Sequence, residues 1–360
     1  MNVTIPSQMS ASPLDHSLAP VLRWQERLTN WILTGGDDDH FNALALELHA
    51  FQKARCPVIA AYAGVAGWQK EPAHWKEIPA LPLEAFKRTR VTIFPEEATK
   101  HEFITSGTTG ETRGRHFMPN LDLYQTAVCA GWAEAGLPDL PQLLLLPTET
   151  EAPQSSLATM FGLLQRGRGI SQTGLWQEGH RLDAGQLRAC VVESAHPLCL
   201  AGTSLAFLHL LETSDRIVLP AGSILMETGG FKGSGRQIEK RELYGQLQEF
   251  FGLQTDRIWN EYGMTELSSQ FYTNDLGNVH RSGHWVRAMV VDPATGEEAK
   301  EGATGVLRLY DLANLFSCLA VETRDLAIRR GEEFELIGRD PAALPRGCSR
   351  EADALLQSEG

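Results

Sequence analysis

Short apolar runs alternate with longer stretches whose apolar residues recur at helical spacing, and this alternation restricts the chain to an α/β architecture. The runs that predict strands are Val91–Phe94, Glu102–Thr105, Leu143–Leu146, Ile217–Leu219 and Ser223–Met226. Leu143–Leu146 is wholly apolar and stopped by Pro147, the pattern of a strand buried on both faces. Helical spacing predicts helices over Val21–Leu33, Phe41–Arg55, Leu121–Ala135, Ser156–Leu164 and Gln237–Phe251. Gly35, Gly36 and three Asp residues separate the first two, which read as an N-terminal helical cap. From Trp285 to Leu336 the character changes to short strands with turns at Pro293–Gly296 and Gly302–Gly305, predicting a small β-rich subdomain. The expected organisation is a loose tail over 1–20, an α/β core over 21–337 that is β-rich from about 285, and a short segment over 338–360.

Composition narrows the function classes. Hydrophobic residues make up 42% of the 360 positions, enough for a sizeable core. A formal net charge of −13 argues against a general nucleic-acid surface. The six cysteines (Cys56, Cys129, Cys190, Cys199, Cys318 and Cys348) form no CxxC pair and lie far apart. That spacing fits neither a zinc site nor a disulfide framework and is the pattern of a reducing compartment. Met1–Pro20 has no basic region followed by an apolar core, and no apolar run approaches the length of a membrane span. A cytoplasmic protein is expected.

Four segments carry chemistry. The strand ending at Thr105 runs into Ser106, Gly107, Thr108, Thr109 and Gly110, with Arg113, Gly114 and Arg115 close behind. Small residues let a backbone approach phosphate closely, N–H groups and hydroxyls donate to its oxygens, and Arg113 or Arg115 supplies a counter-charge. No Walker GxxxxGK[ST] is present, and a plain strand-to-helix turn uses the same residue types. The second segment is Asn260-Glu-Tyr-Gly-Met-Thr-Glu266, which offers an aromatic face for a purine, a hydroxyl for a phosphate and a carboxylate for Mg²⁺. Read alone, it is equally a strand followed by a solvated loop. The third, Glu227–Arg236, is a Gly-rich loop after an apolar strand. The fourth pairs Thr323-Arg-Asp325 with Gly338-Arg339, an Asp and an Arg suited to ribose hydroxyls but also to an ordinary surface.

The order of these segments resembles the motif series of the acyl-adenylate-forming superfamily, and most closely that of the LuxE-like acyl-protein synthetases. Leu81–Lys87, Ser155-Ser156-Leu157 with Met160, Asp311–Asn314 and Arg346–Ser349 add to the likeness, which runs from about Pro79 onward. It implies an adenylate-forming N-terminal-domain-like core with little or no C-terminal lid domain. Thr105, Ser106, Thr108 and Thr109, with Gly107 and Gly110, would wrap the phosphates of ATP. Gly229 and Gly230 would lie by the adenine and Tyr262 would stack on it. Thr265 would contact the α-phosphate, Glu266 would hold Mg²⁺, and Asp325 would bind the ribose with Arg339 nearby.

The implied reaction activates a carboxylic acid, a fatty acid by the LuxE likeness, as acyl-AMP. The acyl group then passes to a thiol, first Cys348 and then a partner such as an acyl reductase. Cys348 lies between Arg346 and Arg350, whose charges would lower its pKa. Two departures stand out. Thr112-Arg113-Gly114 replaces the superfamily's usual Pro-Lys-Gly, and Arg113, carried here as a catalytic candidate, keeps the charge with different geometry. The sequence ends at Gly360, soon after Gly338, so the lid domain with its catalytic lysine is not expected here. Two alternatives stay open: a ligase delivering the acyl group to CoA or a carrier protein, and a non-catalytic adenylate-binding subunit of a reductase complex.

Overall fold

The structure, a computed structural model, describes residues 18–65, 70–105, 112–177, 181–229, 238–274 and 279–339. Along the chain come α1 (Leu18–Thr34), α2 (Asp38–Arg55), α3 (Pro57–Val65), β1 (Leu81–Pro82), α4 (Ala85–Arg88), β2 (His101–Ile104) and β3 (Arg115–Met118). Next are α5 (Asp122–Glu134), β4 (Gln142–Leu145), α6 (Ser156–Arg168), β5 (Gln172–Gly174), β6 (Trp176–Gln177) and β7 (Arg181–Leu182). Then follow α7 (Ala184–Glu193), β8 (Cys199–Gly202), α8 (Ser204–Thr213), β9 (Ile224–Glu227), α9 (Lys240–Phe251), β10 (Ile258–Tyr262) and β11 (Phe271–Thr273). The chain continues with β12 (Val279–His280), β13 (Val286–Val291), β14 (Thr304–Asp311), β15 (Ala320–Arg330) and β16 (Glu333–Arg339).

Two six-stranded sheets organise these elements. The first has the order β11-β10-β9-β8-β4-β5, parallel except for the edge strand β11. Its strands read as unbroken apolar runs because both faces are covered. Leu143, Leu145, Leu200 and Leu225 face a core built with α7, α8 and α9, while Leu144, Ala201, Ile224 and Met226 face the larger core of α5 and α6. The second sheet is antiparallel in the order β12-β16-β15-β14-β13, with β1 pairing in parallel onto β15 at Leu81↔Val321. Its apolar face shares the larger core with α1, α2 and α5.

Local chemistry explains the boundaries. Asp37 caps α2 by accepting from the His40 N–H at 3.0 Å, so the Asp run after Gly35-Gly36 starts a helix. Ser155 caps α6 through the Ala158 N–H at 3.2 Å. Two expected strands are absent. Val91–Phe94 is irregular backbone with one ladder-like bond, Ile93 N–H to Phe316 O at 3.1 Å, and Ile217–Leu219 is likewise irregular, held by Leu219 N–H to Phe251 O at 3.0 Å. Val91, Ile93, Phe94, Ile217 and Leu219 are buried, so their apolar character reports burial without sheet pairing. Cys318, expected within a strand-like run, lies in a buried loop. Among the described residues no helix is long and apolar enough to cross a membrane.

Candidate functional site

The carboxyl ends of β4, β8, β9 and β10 open onto one edge of the parallel sheet, the edge where ligands of open α/β sheets bind. The hairpin β2–β3 stands beside it. Thr105 and Gly114 close its neck: Thr105 N–H donates to Gly114 O and Gly114 N–H donates to Thr105 Oγ1, both at 2.9 Å. The expected loop residues Ser106, Gly107, Thr108, Thr109 and Gly110 lie outside the described residues, as do Gly230 and Cys348. Arg113 is exposed next to the neck, whereas Arg115 is bound to Glu102 and lies over the Phe117 ring at 5.0 Å.

Glu266 reaches this neck from the segment after β10. A Cβ placed on Gly114 would sit 3.0 Å from Glu266 Oε1 and 3.1 Å from Thr105 Cγ2, so the carboxylate rests directly over the Gly114 backbone. Two polar struts hold it. Asn314 Nδ2 donates to Glu266 O at 2.9 Å, and His116 on β3 bonds Thr265 O through Nδ1 at 2.8 Å. Because that bond makes Nδ1 the donor, the other ring nitrogen, Nε2, accepts from Ser317 Oγ at 3.0 Å. Burial lowers the His116 pKa to about 4, the Thr265 bond opposing only weakly, so the ring is neutral.

Beneath the same segment Asp311 accepts from Ser268 N–H at 3.0 Å, Ser269 Oγ at 2.8 Å and Ala313 N–H at 2.9 Å. Burial nonetheless raises its pKa to about 6, because desolvation outweighs those bonds. The string Asp311–Asn314 therefore acts as a fastener, tying residues 266–269 down from the far sheet.

Tyr262 ends β10. Its hydroxyl donates to Asp325 Oδ2 on β15 at 2.7 Å, joining the two sheets at the site edge. The ring packs edge-on against Phe334 at 5.7 Å and His280 at 6.0 Å. Asp325 pairs with Arg339 across β15 and β16, which places the two expected ribose residues opposite one another. Gly229 follows β9 with φ +68°, a conformation that favours glycine. Its N–H donates to the buried Glu227 carboxylate at 2.6 Å, and Asn260 Nδ2 donates to the same carboxylate at 2.6 Å. Ser204 Oγ and Tyr244 Oη donate to it as well.

The structure thus gathers Thr105, Arg113, Gly229, Tyr262, Thr265, Glu266, Asp325 and the Arg339 backbone at one edge. Their sequence separations run to more than two hundred residues. It also supplies residues that sequence reasoning did not single out: Glu227 as an anchor, Asn260, His116, Ser317 and Gln52. Gln52 on α2 donates to Asn314 O and Leu315 O, both at 3.0 Å, and accepts from Leu319 N–H at 2.9 Å. Among the described residues no group of three His, Cys, Asp or Glu side chains could hold a metal ion. Glu266 therefore offers a single carboxylate, the protein share that Mg²⁺ needs when phosphates and water complete its shell. Of the described cysteines, burial pushes the Cys199 and Cys318 thiols up to about 12, far from a reactive thiolate.

No protein-family profile and no curated protein sequence matches the chain. Solved structures do. A 2-hydroxyisobutyryl-CoA ligase in the postadenylation state aligns with TM-score 0.63 at 14% identity, over 89% of this chain and 72% of that one. An open conformation of 2-hydroxyisobutyryl-CoA ligase, with its adenylate and CoA, aligns with TM-score 0.59 at 13% identity, over 84% and 74%. The fold is that of the adenylate-forming enzymes' N-terminal domain. ATP-bound MatB from Rhodopseudomonas palustris also aligns, at 17% identity and TM-score 0.48, over 66% of this chain. The chain spans about half the length of that protein, 47%.

Proposed function

We propose that the protein activates a carboxylic acid with ATP as an acyl-adenylate and then passes the acyl group to a thiol. The observation that carries this reading is the Glu266 carboxylate seated over Gly114 at the neck of a Ser/Thr/Gly loop, with Tyr262 and Asp325 joined across the same edge. Loop hydroxyls and N–H groups next to one carboxylate, beside an aromatic–Asp pair, match the parts of a nucleotide in that order: phosphates, metal, nucleoside.

In the reaction a carboxylate oxygen of the acid attacks the α-phosphorus of ATP, the P–O bond to the β-phosphate breaks, and pyrophosphate leaves. The protein's share is to hold two anions in line and to neutralise charge as it builds. Thr105, Ser106, Thr108 and Thr109 orient the phosphates, with Gly107 and Gly110 allowing close approach, and Arg113 supplies positive charge at the loop exit. Thr265, kept in place by His116, faces the α-phosphate. Gly229 and Gly230 border the base, Tyr262 lies along it, and Asp325 with Arg339 takes the ribose hydroxyls. Glu266 would hold Mg²⁺, which supplies charge neutralisation between the phosphates. The mixed anhydride is then open to a thiolate, which displaces AMP to form a thioester.

For the acceptor, Cys348 between two arginines is the first choice, handing on to a partner protein such as an acyl reductase. Coenzyme A or a carrier-protein thiol is the second, favoured by the fold shared with a ligase whose structure holds CoA beside an adenylate. Acid-dependent exchange of labelled pyrophosphate into ATP tests activation. Exchange that depends on one acid class and falls at least 100-fold in Glu266→Ala is the expected result. ATP binding without exchange for any acid leaves a nucleotide-binding subunit instead. Acylation of wild type but not of Cys348→Ala by a labelled acid separates the two acceptors.

A further inference from the structure

One buried polar cluster has no part in holding the nucleotide. Glu261 on β10 and Tyr272 on β11 are cross-strand partners, so their side chains share a face of the first sheet a few ångströms apart. Both are buried, at 6% and 3% exposure, and that face meets α5. The Tyr272 ring stands edge-on to Trp132 of α5, 6.2 Å between centroids, and Tyr124 of the same helix is a further electrostatic neighbour.

The hydrogen bonds of this cluster do not close. Tyr272 Oη is buried without a partner, and so is Trp132 Nε1 beside it. Among the described residues no hydrogen bond reaches the Glu261 carboxyl, although Tyr272 is its nearest strand neighbour. Tyr124 Oη, in contrast, donates to Ser156 O at 3.1 Å. Native proteins rarely leave buried polar groups unpaired, because each costs on the order of 1–3 kcal/mol. Several at one spot therefore mark a place made for a partner that the folded chain does not itself contain.

The position adjoins the candidate site. A Cβ on Gly263 would meet Glu261 Oε1 at 2.5 Å, so the carboxyl curls toward the strand end where the segment bearing Thr265 and Glu266 begins. On the other side, Ser156 opens α6, and Gln154 just before it accepts from Ile104 N–H, next to the neck residue Thr105. The cluster thus lies between the Ser/Thr/Gly hairpin and β10, where the acid must enter if its carboxylate is to reach the α-phosphate.

We propose that Glu261 and Tyr272 recognise a hydroxyl group on the acid, and that the substrate is a hydroxylated carboxylic acid in place of a plain alkyl chain. This rests on the adenylation reading given above. A hydroxyl is the group that fits both orphans at once, donating to Glu261 and accepting from Tyr272 Oη. An ammonium donates only, and an alkyl chain leaves both unpaired. Burial, reinforced by the neighbouring Glu227, raises the Glu261 pKa to about 8, so near neutrality the carboxyl is largely uncharged and suits a neutral ligand.

The test is pyrophosphate exchange with matched sets of alkanoic, hydroxy and amino acids of equal chain length, on wild type, Glu261→Leu and Tyr272→Phe. In wild type one hydroxy acid is expected to exceed its alkanoate by about 100-fold or more in kcat/KM, since a site built to bond a hydroxyl discriminates strongly against its absence. Tyr272→Phe, which keeps the ring, lowers that ratio at least tenfold. Glu261→Leu reverses it, and in both variants the KM for ATP stays within about twofold of wild type. A wild-type preference for alkanoates or amino acids, or a ratio unmoved in both variants, overturns the inference. If no acid supports exchange, the adenylation reading fails, and thermal stabilisation by the same acids at millimolar concentration decides the pocket separately. A rise in Tm with a hydroxy acid that Tyr272→Phe abolishes keeps it, and no rise with any hydroxy acid overturns it.

Discussion

At the scale of single residues, the site depends on close approach more than on charge alone. Gly114 shows this best. An added methyl group would sit 3.0 Å from the Glu266 carboxylate oxygen, at the far end of a side chain that can give a few tenths of an ångström. The fold should tolerate Gly114→Ala with a loss of about 1 kcal/mol or less, seen by urea unfolding. The carboxylate cannot stay where it is, so pyrophosphate exchange should fall about tenfold to 100-fold. An alanine variant with full activity would mean that the Gly114–Glu266 contact does not set the working position of the carboxylate. Tyr262→Phe acts differently. It leaves the buried Asp325 without the 2.7 Å bond from the phenol, so stability should drop by about 1–2 kcal/mol, and the KM for ATP should rise several-fold. At this scale the sequence announces residues that belong to compact strings, such as Tyr262, Thr265 and Glu266. It does not announce Glu227, His116 or Gln52. Each is an ordinary polar residue until the fold buries it against a donor or acceptor far along the chain, as with Gln52 and Leu319.

Among elements, legibility follows what apolar residues do and do not report. Leu143–Leu146 is read correctly because a fully apolar run between two prolines has few options besides a buried strand, and β4 occupies it. Val91–Phe94 has the same look and the same burial, yet forms no ladder. Hydrophobicity fixes which side of the surface a residue occupies, and pairing is decided by neighbours distant in sequence. The helices Ala184–Glu193 and Ser204–Thr213 escape sequence reading for a related reason: they are short, with few buried positions to show a period. Gly305 marks where pairing is tight. A Cβ there would lie 2.3 Å from Val291 O on the neighbouring strand, and backbone in a ladder cannot move aside as a side-chain tip can. Gly305→Ala is therefore expected to cost about 3 kcal/mol or more and lower Tm by several degrees, whereas Ser155→Ala, which removes one helix cap, should cost about 1 kcal/mol. Equal losses for the two would refute this account of β13–β14.

Across the whole molecule, buried titratable groups at the junction of sheets and helices give stability opposing pH slopes. His116 and His49 are each held to about 4 by burial, below the unfolded value of 6.5, so their contribution is intact above pH 6.5 and is lost as pH falls toward 4. Asp311, raised to about 6 from 3.8, works the other way: the folded state keeps its proton longer, so stability is gained as pH falls through 6. Below pH 6.5 these terms largely offset. Glu261, raised to about 8 from 4.5, has the window above pH 6.5 to itself. There the folded protein binds a proton that the unfolded chain does not, so acidification from pH 8 to pH 6.5 should stabilise wild type by about 1.5 kcal/mol. Glu261→Gln keeps the shape and removes the titration, and its unfolding free energy should be flat across that window. Urea unfolding at four or five pH values between 6.5 and 8 reads the difference directly. A parallel slope in wild type and variant would mean that Glu261 is solvated as an ordinary carboxylate, and the orphaned hydroxyl of Tyr272 would then need another explanation.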